Sequence, residues 1–337
     1  MRKGLIRWLG VPLALLALAF VAGLWWLQSP LDTGPGRPTL DLSIEPGTSP
    51  KAVAQAVVEA GVSTTALGLY AWFRLSGQDR QIRAGSYEIP PGTTPTRLLS
   101  MLVRGEETLR TLTLVEGWNW RQLRQALARA DQLKPDSQGL SDAALMTRLG
   151  RPGLAPEGRF FPDTYSYAKN SSDLQLLARA LKAMDRQLQR AWESRKPGVA
   201  VRSAEEALTL ASIIEKETGR GSDRSMISSV FHNRLRLGMM LQTDPTVIYG
   251  LAEAFDGNLK RIHLRSDTPW NTYTRKGLPP TPIAMPGRAA LLAAVQPADS
   301  QALYFVARGD GSSHFSASLE EHNRAVNRYQ RGRKAVD

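Results

Sequence analysis

The feature that most constrains how this chain can fold is an uncharged apolar run near its N-terminus. Residues 11–27 contain no charged side chain, and three basic residues lie within the first ten. With its apolar flank, the run approaches the roughly 20 residues that a helix needs to cross a bilayer. Trp25 and Trp26 end the run, as expected of aromatic side chains at a membrane interface. The sequence therefore predicts a membrane-spanning helix.

The flanking charges predict how this helix is oriented. Basic residues stay on the cytoplasmic side, so residues 1–30 are interpreted as a cytoplasmic tip and transmembrane anchor. The alternative is a cleaved signal peptide, with Ala17-Leu18-Ala19 as its best cleavage site. The apolar run continues beyond that site to residue 27, which favours a retained anchor. Residues 31–38 contain Pro and Gly and are interpreted as a linker.

The composition limits the classes of partner and chemistry. Of 337 residues, 42% are hydrophobic and 22% charged, so the chain can bury a real core. The net charge of +12 favours an anionic partner, but the basic residues are scattered, so no nucleic-acid-binding arm is expected. The chain has no cysteine, which excludes disulfides, thiolate nucleophiles and cysteine metal ligands.

Residues 39–114 repeat a strand, turn and helix pattern. Leu40–Ile44 and Gly85–Ile89 are strand-like, and each is followed by a P-G-T turn and a helical run. Leu109–Val115 begins a third, partial copy. Such units resemble a LysM-type carbohydrate-binding module. The alternative is a small α+β packing domain with no ligand.

Residues 115–337 read as a larger α+β domain with helices around mixed or antiparallel strands. One helix in it is predicted from Ser203 to a glycine C-cap at Gly219. Asp244-Pro245 predicts an extended segment or turn. Residues 267–286 are rich in proline and predict a long ordered loop, which in a compact domain is usually functional.

An aromatic segment precedes these helices. Residues 157–165 place Phe160, Phe161 and Tyr165 beside charged residues and Pro162. Exposed aromatic side chains could stack on sugar rings, whereas buried ones would simply fill the core. The sequence leaves both interpretations open.

The helix that begins near Ser203 carries a carboxylate on its apolar side. Leu210, Ile213, Ile214 and Glu217 stand at i, i+3, i+4 and i+7, which is one helical face. A carboxyl group among apolar neighbours has a raised pKa, because desolvation penalises the anion. A carboxyl that keeps its proton near neutral pH can serve as a general acid. Glu215 lies about 200° around the helix, so the two glutamates do not easily share one site.

Other chemistries find little support. The histidines show no metal-ligand spacing, and no phosphate-binding glycine motif or G-x-S-x-G elbow is present. No metal or cofactor is therefore expected. The four histidines are His232, His263, His314 and His322.

Carboxylate chemistry needs a cleft whose side chains hold a polar substrate. Amides, hydroxyls and aromatic rings are the groups that read sugar hydroxyls and N-acetyl groups. Each candidate residue could instead have a purely structural role, such as stabilising a turn or lying within a helix. The predicted substrate-binding residues are Asn233, Gln242, Thr243, Asp244, Asn271 and Tyr273.

Six ordered segments of the chain resemble the motifs of the YceG-like family. The resemblance extends from the apolar N-terminal run to the last helix. The segments are Ala211–Thr218 (ASIIEKET), Phe231–Leu235 (FHNRL), Leu241–Tyr249 (LQTDPTVIY), Asn271–Thr274 (NTYT), Gly277–Pro280 (GLPP) and Tyr304–Val306 (YFV).

This resemblance implies a layout and an activity. The layout is an inner-membrane anchor, a LysM-like subdomain and a catalytic domain (115–337) in the periplasm. The implied activity is endolytic cleavage of the β-1,4 bond between N-acetylmuramic acid and N-acetylglucosamine in nascent peptidoglycan strands, with 1,6-anhydro ends. The family's catalytic glutamate matches Glu217, and its partner glutamate matches Glu215, whose role is unassigned. The implied partners are glycan strands, the cytoplasmic membrane and glycan-polymerising synthases, and no nucleic acid.

Two other activities remain open on the sequence. A hydrolytic muramidase would use water and leave a reducing end. A non-catalytic glycan-binding or division scaffold would use the LysM-like module and the anchor, and Glu217 would then be only a helix residue.

Overall fold

The computed structural model describes residues 15, 17–33 and 39–331. Its residues are divided between two units, and the chain crosses from one to the other three times. The first unit comprises residues 1–110 and 166–170, and the second comprises residues 111–165 and 171–337. The predicted subdomain limits, 39–114 and 115–337, stay a prediction. The mixed α+β composition is confirmed.

The first unit is built on an antiparallel strand pair. Strand β1 (Leu40–Ile44) alternates buried and exposed residues, as its sequence predicts, and pairs with β2 (Gly85–Ile89) so that Leu42 lies opposite Tyr87. The apolar faces of the helices bury a core around Leu42, Tyr87 and Phe73. The helices described in this unit are α1 (17–28), α2 (Pro50–Glu59), α3 (Ala66–Leu75) and α4 (Pro95–Arg104).

The repeated P-G-T segments of this unit begin helices in the same way. The hydroxyl of Ser49 accepts a hydrogen bond from the Ala52 amide, and that of Thr94 accepts one from the Arg97 amide. Each helix then starts with proline, whose missing N–H is unneeded in the first turn. Ser49 and Thr94 are therefore the N-caps of α2 and α4.

The predicted anchor lies partly outside the described residues, since only residue 15 and residues 17–27 of it are described. In this part, Leu18, Phe20 and Trp25 are exposed apolar side chains. Within residues 15, 17–33 and 39–331, none of the helices combines the length and the apolar character needed to cross a bilayer. The membrane anchor stays a prediction.

The chain passes between the two units inside strands β3 (Leu109–Thr113) and β4 (Thr164–Ala168), which pair with each other. The third strand predicted from the sequence therefore exists and ends two residues earlier than expected, at Thr113.

The second unit is mainly helical and is organised around one central helix, α8. Ala207–Ile214 of this helix are fully or almost fully buried, and α7, α9 and α12 pack around it. The helices of this unit are α5 (Trp120–Arg129), α6 (Asp142–Arg148), α7 (Asp173–Glu193), α8 (Ala204–Glu217), α9 (Arg224–Arg236), α10 (Asp244–Leu251), α11 (Arg261–Arg265), α12 (Arg288–Val295) and α13 (Leu319–Val326).

A β-hairpin completes the second unit near the C-terminus. Strands β5 (Tyr304–Ala307) and β6 (Ser313–Ser316) pair in antiparallel register, with Phe305 opposite Phe315. Phe305 also packs edge-on against Phe231 of α9, with ring centroids 6.0 Å apart. Through Phe305 and Phe315, the hairpin packs against one side of the helical core.

Two local predictions in the second unit are wrong. Asp244 and Pro245 do not form a turn: they begin α10, where a proline in the first turn costs no hydrogen bond. Helix α8 ends at Glu217 without a left-handed glycine. Instead, the Thr218 amide and hydroxyl both donate to the Ile214 carbonyl, at 3.1 and 2.7 Å, and Thr218 turns extended.

The aromatic segment 157–165 fills the core rather than presenting rings to solvent. Phe160 is fully buried and stacks on Trp120 of α5, with ring centroids 5.1 Å apart. Gly158 makes this packing possible, because its φ is +76° and a Cβ there would lie 2.4 Å from Pro282. The segment is therefore held tightly against residues 282–284.

Candidate active site

Glu217 is the last residue of α8 and lies on the buried face predicted from the sequence. Leu210, Ile213 and Ile214, which share that face, are fully buried in the core of the second unit. The core therefore fixes the direction in which the Glu217 side chain leaves the helix. The carboxyl group lies at the boundary between this core and the segment that starts α10.

The environment of Glu217 raises the pKa of its carboxyl group, mainly through burial. The hydroxyl of Thr243 donates a hydrogen bond to Glu217 Oε1, which favours the anion and opposes that rise. The negative charge of Asp244 raises the pKa further, and the positive charge of Arg234 lowers it. The net direction is upward, so Glu217 holds its proton to higher pH than a glutamate in water.

Arg234 is a buried cation that the sequence analysis did not single out. Its Nε donates to the Leu303 carbonyl at 2.7 Å, and its Nη1 donates to the Leu241 carbonyl at 2.8 Å. Its guanidinium group also lies over the Tyr304 ring, 5.1 Å from the centroid. These contacts hold a positive charge close enough to Glu217 to influence its ionisation. The only sequence signal was its place in the FHNRL motif.

The start of α10 brings two of the predicted residues, Thr243 and Asp244, to Glu217. Thr243 is buried and forms the hydrogen bond to the carboxyl group, and Asp244 follows it. The hydroxyl of Tyr273 donates to Asp244 Oδ1 at 2.6 Å, so Asp244 has a fixed partner. Gln242 is exposed and has a φ of +50°, which is unfavourable for a residue with a side chain. Glu217, Thr243, Asp244 and Tyr273 therefore form one connected group.

Thr272 ties the two segments of this group together and was also missed. Its hydroxyl accepts from the Thr243 amide at 3.1 Å and lies 2.9 Å from the Thr246 hydroxyl. Its carbonyl accepts from the Gln242 amide at 3.1 Å. Because Thr246 and Thr272 are both buried, this network fixes Thr243 against Glu217.

The other two predicted residues, Asn233 and Asn271, form hydrogen bonds with the protein backbone. The amide of Asn233 donates to the carbonyls of Ser300 and Ala302, at 2.8 and 2.9 Å. Asn271 is fully buried, and its amide donates to the Ser266 carbonyl at 2.7 Å. Asn271 Oδ1 also accepts from the Tyr273 amide at 2.8 Å, so Asn271 supports the backbone of the Glu217 group, whereas these contacts do not bring Asn233 to it. Direct contact of either residue with substrate stays a prediction.

Glu215 points to a different place, in agreement with its position on the helix. Its Oε2 accepts from the Gly287 amide at 2.9 Å, at the start of α12. Burial and the nearby carboxylate of Glu116 raise the pKa of Glu215, and that amide hydrogen bond opposes the rise. The structure thus gives Glu215 a helix-capping contact that Glu217 does not share.

Glu157 is a second buried carboxyl group that the sequence analysis passed over. Both of its oxygens accept from the Trp120 amide, at 3.1 and 3.0 Å, at the start of α5. Burial raises its pKa to about 7, and the hydrogen bonds from the Trp120 amide and the Tyr249 hydroxyl oppose that rise. A glutamate directly before a glycine and two aromatic residues was the available signal.

The buried histidine of α9 is structural. His232 Nδ1 accepts from the Ala200 amide at 2.9 Å, so Nε2 carries the proton and donates to the Ala294 carbonyl at 2.9 Å. Burial lowers the pKa of His232, which keeps the ring neutral. In the described residues, the side chains of His, Asp and Glu do not form a cluster suited to a metal ion.

Comparisons with known proteins show what the chain is similar to. The sequence model of the YceG-like family matches residues 42–328. The endolytic murein transglycosylase of Bacillus subtilis strain 168 is 30% identical over 312 residues, which cover 87% of this chain and 85% of that protein. The endolytic murein transglycosylase of Streptococcus pneumoniae serotype 2 is 27% identical over 362 residues, covering 93% of this chain and 63% of that protein.

A solved structure resembles the chain over most of its length. The crystal structure of a YceG-like protein from Listeria monocytogenes has a TM-score of 0.54 and 28% sequence identity. The match covers 85% of this chain and 98% of that one.

Proposed function

The chain belongs to the YceG-like family, and from this premise we propose that it is an endolytic murein transglycosylase. Its substrate is the glycan strand of peptidoglycan, and it cleaves the β-1,4 bond between N-acetylmuramic acid and N-acetylglucosamine. The names of the Bacillus and Streptococcus relatives support this activity. The observation within the chain that carries it is Glu217, a half-buried carboxyl group that accepts a hydrogen bond from the buried Thr243 and has a raised pKa.

The first step in this proposal is proton transfer to the leaving sugar. Protonated Glu217 donates its proton to the glycosidic oxygen as the bond to C1 breaks. Burial and the charge of Asp244 keep the proton on Glu217 until then, because both raise its pKa. As the carboxylate forms, the Thr243 hydroxyl and the positive charge of Arg234 stabilise it.

The second step closes the 1,6-anhydro ring. The muramyl C6 hydroxyl attacks C1, and the Glu217 carboxylate accepts the hydroxyl proton, so the same residue serves as acid and then as base. The carbonyl of the substrate's own N-acetyl group stabilises the oxocarbenium-like centre. Asp244, which would be the nearby second carboxylate, is held by the Tyr273 hydroxyl. No water enters the reaction, so the product differs from that of a hydrolase.

The surroundings of this enzyme are also part of the proposal. Residues 1–30 would anchor it in the inner membrane by a single pass, with residues 39–337 in the periplasm. The glycan-polymerising synthases that make nascent strands are the expected protein partners, and the LysM-like first unit is a candidate for sugar contact. Gln242, Thr243 and Tyr273 are the proposed substrate-holding residues, because they surround or adjoin Glu217.

The product ends test the proposed reaction. Full-length protein in detergent is incubated with un-crosslinked glycan strands, and the ends are analysed by mass spectrometry. We expect anhydro ends, lighter by one water than reducing ends, and a fall in mean strand length that indicates internal cleavage. Reducing ends would identify a muramidase instead. Binding without any new ends would support a non-catalytic scaffold.

A further inference from the structure

A cavity of about 660 Å³ lies in the second unit, next to the Glu217 group. Residues of α5, α8 and α10 line it, together with residues that follow α10. Its volume is in the range of small-molecule sites in proteins, about 300–1,000 Å³. The cavity is therefore large enough for a sugar ring.

Aromatic side chains form one wall of this cavity. Tyr249, Phe255 and Trp270 line it and are all half-buried. The rings of Tyr249 and Trp270 meet edge to face, with centroids 5.4 Å apart and planes at 67°. The Trp270 indole N–H donates to the Thr281 hydroxyl at 2.9 Å, which fixes the ring. Such a wall suits the apolar C–H face of a pyranose.

Polar side chains also line the cavity. Arg121, Gln122 and Lys216 are exposed and border the cavity. Arg121 lies 3.6 Å from Glu253, and Lys216 Nζ donates to the Gly117 carbonyl at 3.3 Å. Amide and cationic N–H groups are donors for sugar hydroxyls and for the carbonyl of an N-acetyl group. An apolar wall combined with a few polar donors is typical of a ligand site.

Two residues that line the cavity are adjacent in sequence to members of the proposed catalytic group. Lys216 and Pro245 both line it, and each is the direct sequence neighbour of a residue in that group, Glu217 or Asp244. Helix α10 connects the two places, because Asp244 lies at its start and Tyr249 is near its end.

Glu157 holds the aromatic wall in position. Its buried carboxyl group joins the Trp120 amide to the Tyr249 hydroxyl and itself lines the cavity. Ala252, at the end of α10, also lines the cavity and has a φ of +49° and a ψ of −118°. A residue with a Cβ in this region is strained, and such strain is more often found at functional sites.

We propose that this cavity binds a pyranose ring of the glycan strand that flanks the bond broken at Glu217. Tyr249, Phe255 and Trp270 stack on the ring, and Gln122 and Lys216 contact its hydroxyl and N-acetyl groups. Glu157 is a positioning residue that fixes Tyr249. This inference rests on the proposed function, and it identifies where a second part of the same strand is held.

Phe255→Ala is the substitution that tests the cavity with least disturbance, because Phe255 is not part of the buried core clusters. The probe is the un-crosslinked glycan strand, and binding is measured by calorimetry in full-length Glu217→Gln protein, which cannot turn it over. We expect Phe255→Ala to weaken binding about tenfold, the effect of losing an aromatic anchor. Phe255→Trp should restore it. Tyr329→Ala, a half-buried aromatic residue outside the cavity lining, is the matched control.

The same substitution in active protein separates this inference from the proposed function. If wild-type protein makes anhydro ends, Phe255→Ala should raise KM on long strands with little change in kcat. Binding and KM unchanged in Phe255→Ala, with a melting temperature like that of the wild type, would overturn the cavity assignment and leave the activity intact. Absence of anhydro ends would remove the proposed function, and the binding measurement would still decide the cavity.

Discussion

The hydroxyl of Thr243 donates a hydrogen bond to the carboxyl group of Glu217. This contact joins the end of α8 to the start of α10, 26 residues later in the chain. It gives the proposed general acid a partner that favours the anion, while partial burial and Asp244 favour the protonated form. The balance between these effects sets the pH range in which Glu217 can donate a proton.

Glu217→Gln should abolish glycan cleavage and keep the fold. Glutamine fills the same space and removes the proton-transfer group, so kcat should fall about 10²- to 10⁴-fold. Glu215→Gln is the matched control, because its side-chain oxygen can still accept from the Gly287 amide, and it should stay within a few-fold of wild type. Anhydro-end formation and thermal melting measure both effects. Comparable losses in the two variants would contradict the assignment.

Thr243→Val and Asp244→Asn should shift the pH profile in opposite directions. A general acid must be protonated, so kcat/KM falls as pH rises through the pKa of Glu217. Thr243 lowers this pKa, so its loss should move the falling limb to higher pH. Asp244 raises it, so Asp244→Asn should move the limb to lower pH. The pH dependence of anhydro-end formation checks both signs, and shifts in the same direction would exclude this electrostatic account.

Arg234 should act through its charge and through its hydrogen bonds, and two substitutions separate these roles. Arg234→Lys keeps the charge but loses the two-sided contact with the Leu303 and Leu241 carbonyls, at a cost of about 1–3 kcal/mol. Arg234→Met loses both, and because Arg234 lowers the pKa of Glu217, the falling limb should also move to higher pH. Chemical denaturation and pH-rate profiles measure the two effects. A limb shift of the same size in both variants would argue against the role of charge.

Ala252→Gly should stabilise the protein. Glycine adopts a positive φ without the Cβ penalty, so relief of strain should contribute about 1 kcal/mol, or roughly 2–4 °C in melting temperature. Ala254→Gly, two residues later in a 3₁₀ turn, should instead destabilise by about 0.5–1 kcal/mol. Calorimetric melting of the two variants provides the comparison. Equal destabilisation by both would show that Ala252 is not strained.

Glu157→Gln should remove a pH dependence of stability. The folded-state pKa of about 7 lies above the ordinary 4.5, so the folded protein binds the extra proton between these values. The stability contributed by Glu157 is then complete below pH 4.5 and is lost as pH rises through 7. The melting temperature of Glu157→Gln relative to wild type should therefore increase over this range. The exposed Glu59→Gln is the control, and parallel curves for all three proteins would contradict the prediction.

Local sequence patterns were sufficient to predict the elements and the position of Glu217 on its helix. The alternation of Leu40–Ile44 predicts β1, and the spacing of Leu210, Ile213 and Ile214 predicts the face on which Glu217 lies. Both depend only on residues close in sequence. The start of α10 was missed because Asp-Pro is compatible with either a turn or a first helical turn. Hydrogen bonds that the Gln242 and Thr243 amides donate to the distant Thr272 help decide between them.

The partners of the site depend on contacts between distant residues and could not be read from periodicity. Arg234 reaches Leu303 across 69 residues, and Glu157 reaches Trp120 across 37. In both cases the sequence shows a charged residue but not the distant group that it contacts. Asn233 and Asn271 illustrate the converse, since the amide nitrogens of polar side chains in a candidate cleft can be occupied with backbone carbonyls.

Helix α10 has eight residues and is therefore about 12 Å long. Its first residue adjoins the acid, its last turn faces the aromatic wall, and the residues just outside both ends, Gln242 and Ala252, have positive φ. The length of this helix therefore sets the distance along the glycan strand between the cleaved bond and the proposed sugar-binding cavity. Lengthening or shortening α10 by one residue would rotate one end by about 100° relative to the other. The cavity and the Glu217 group would then no longer be aligned.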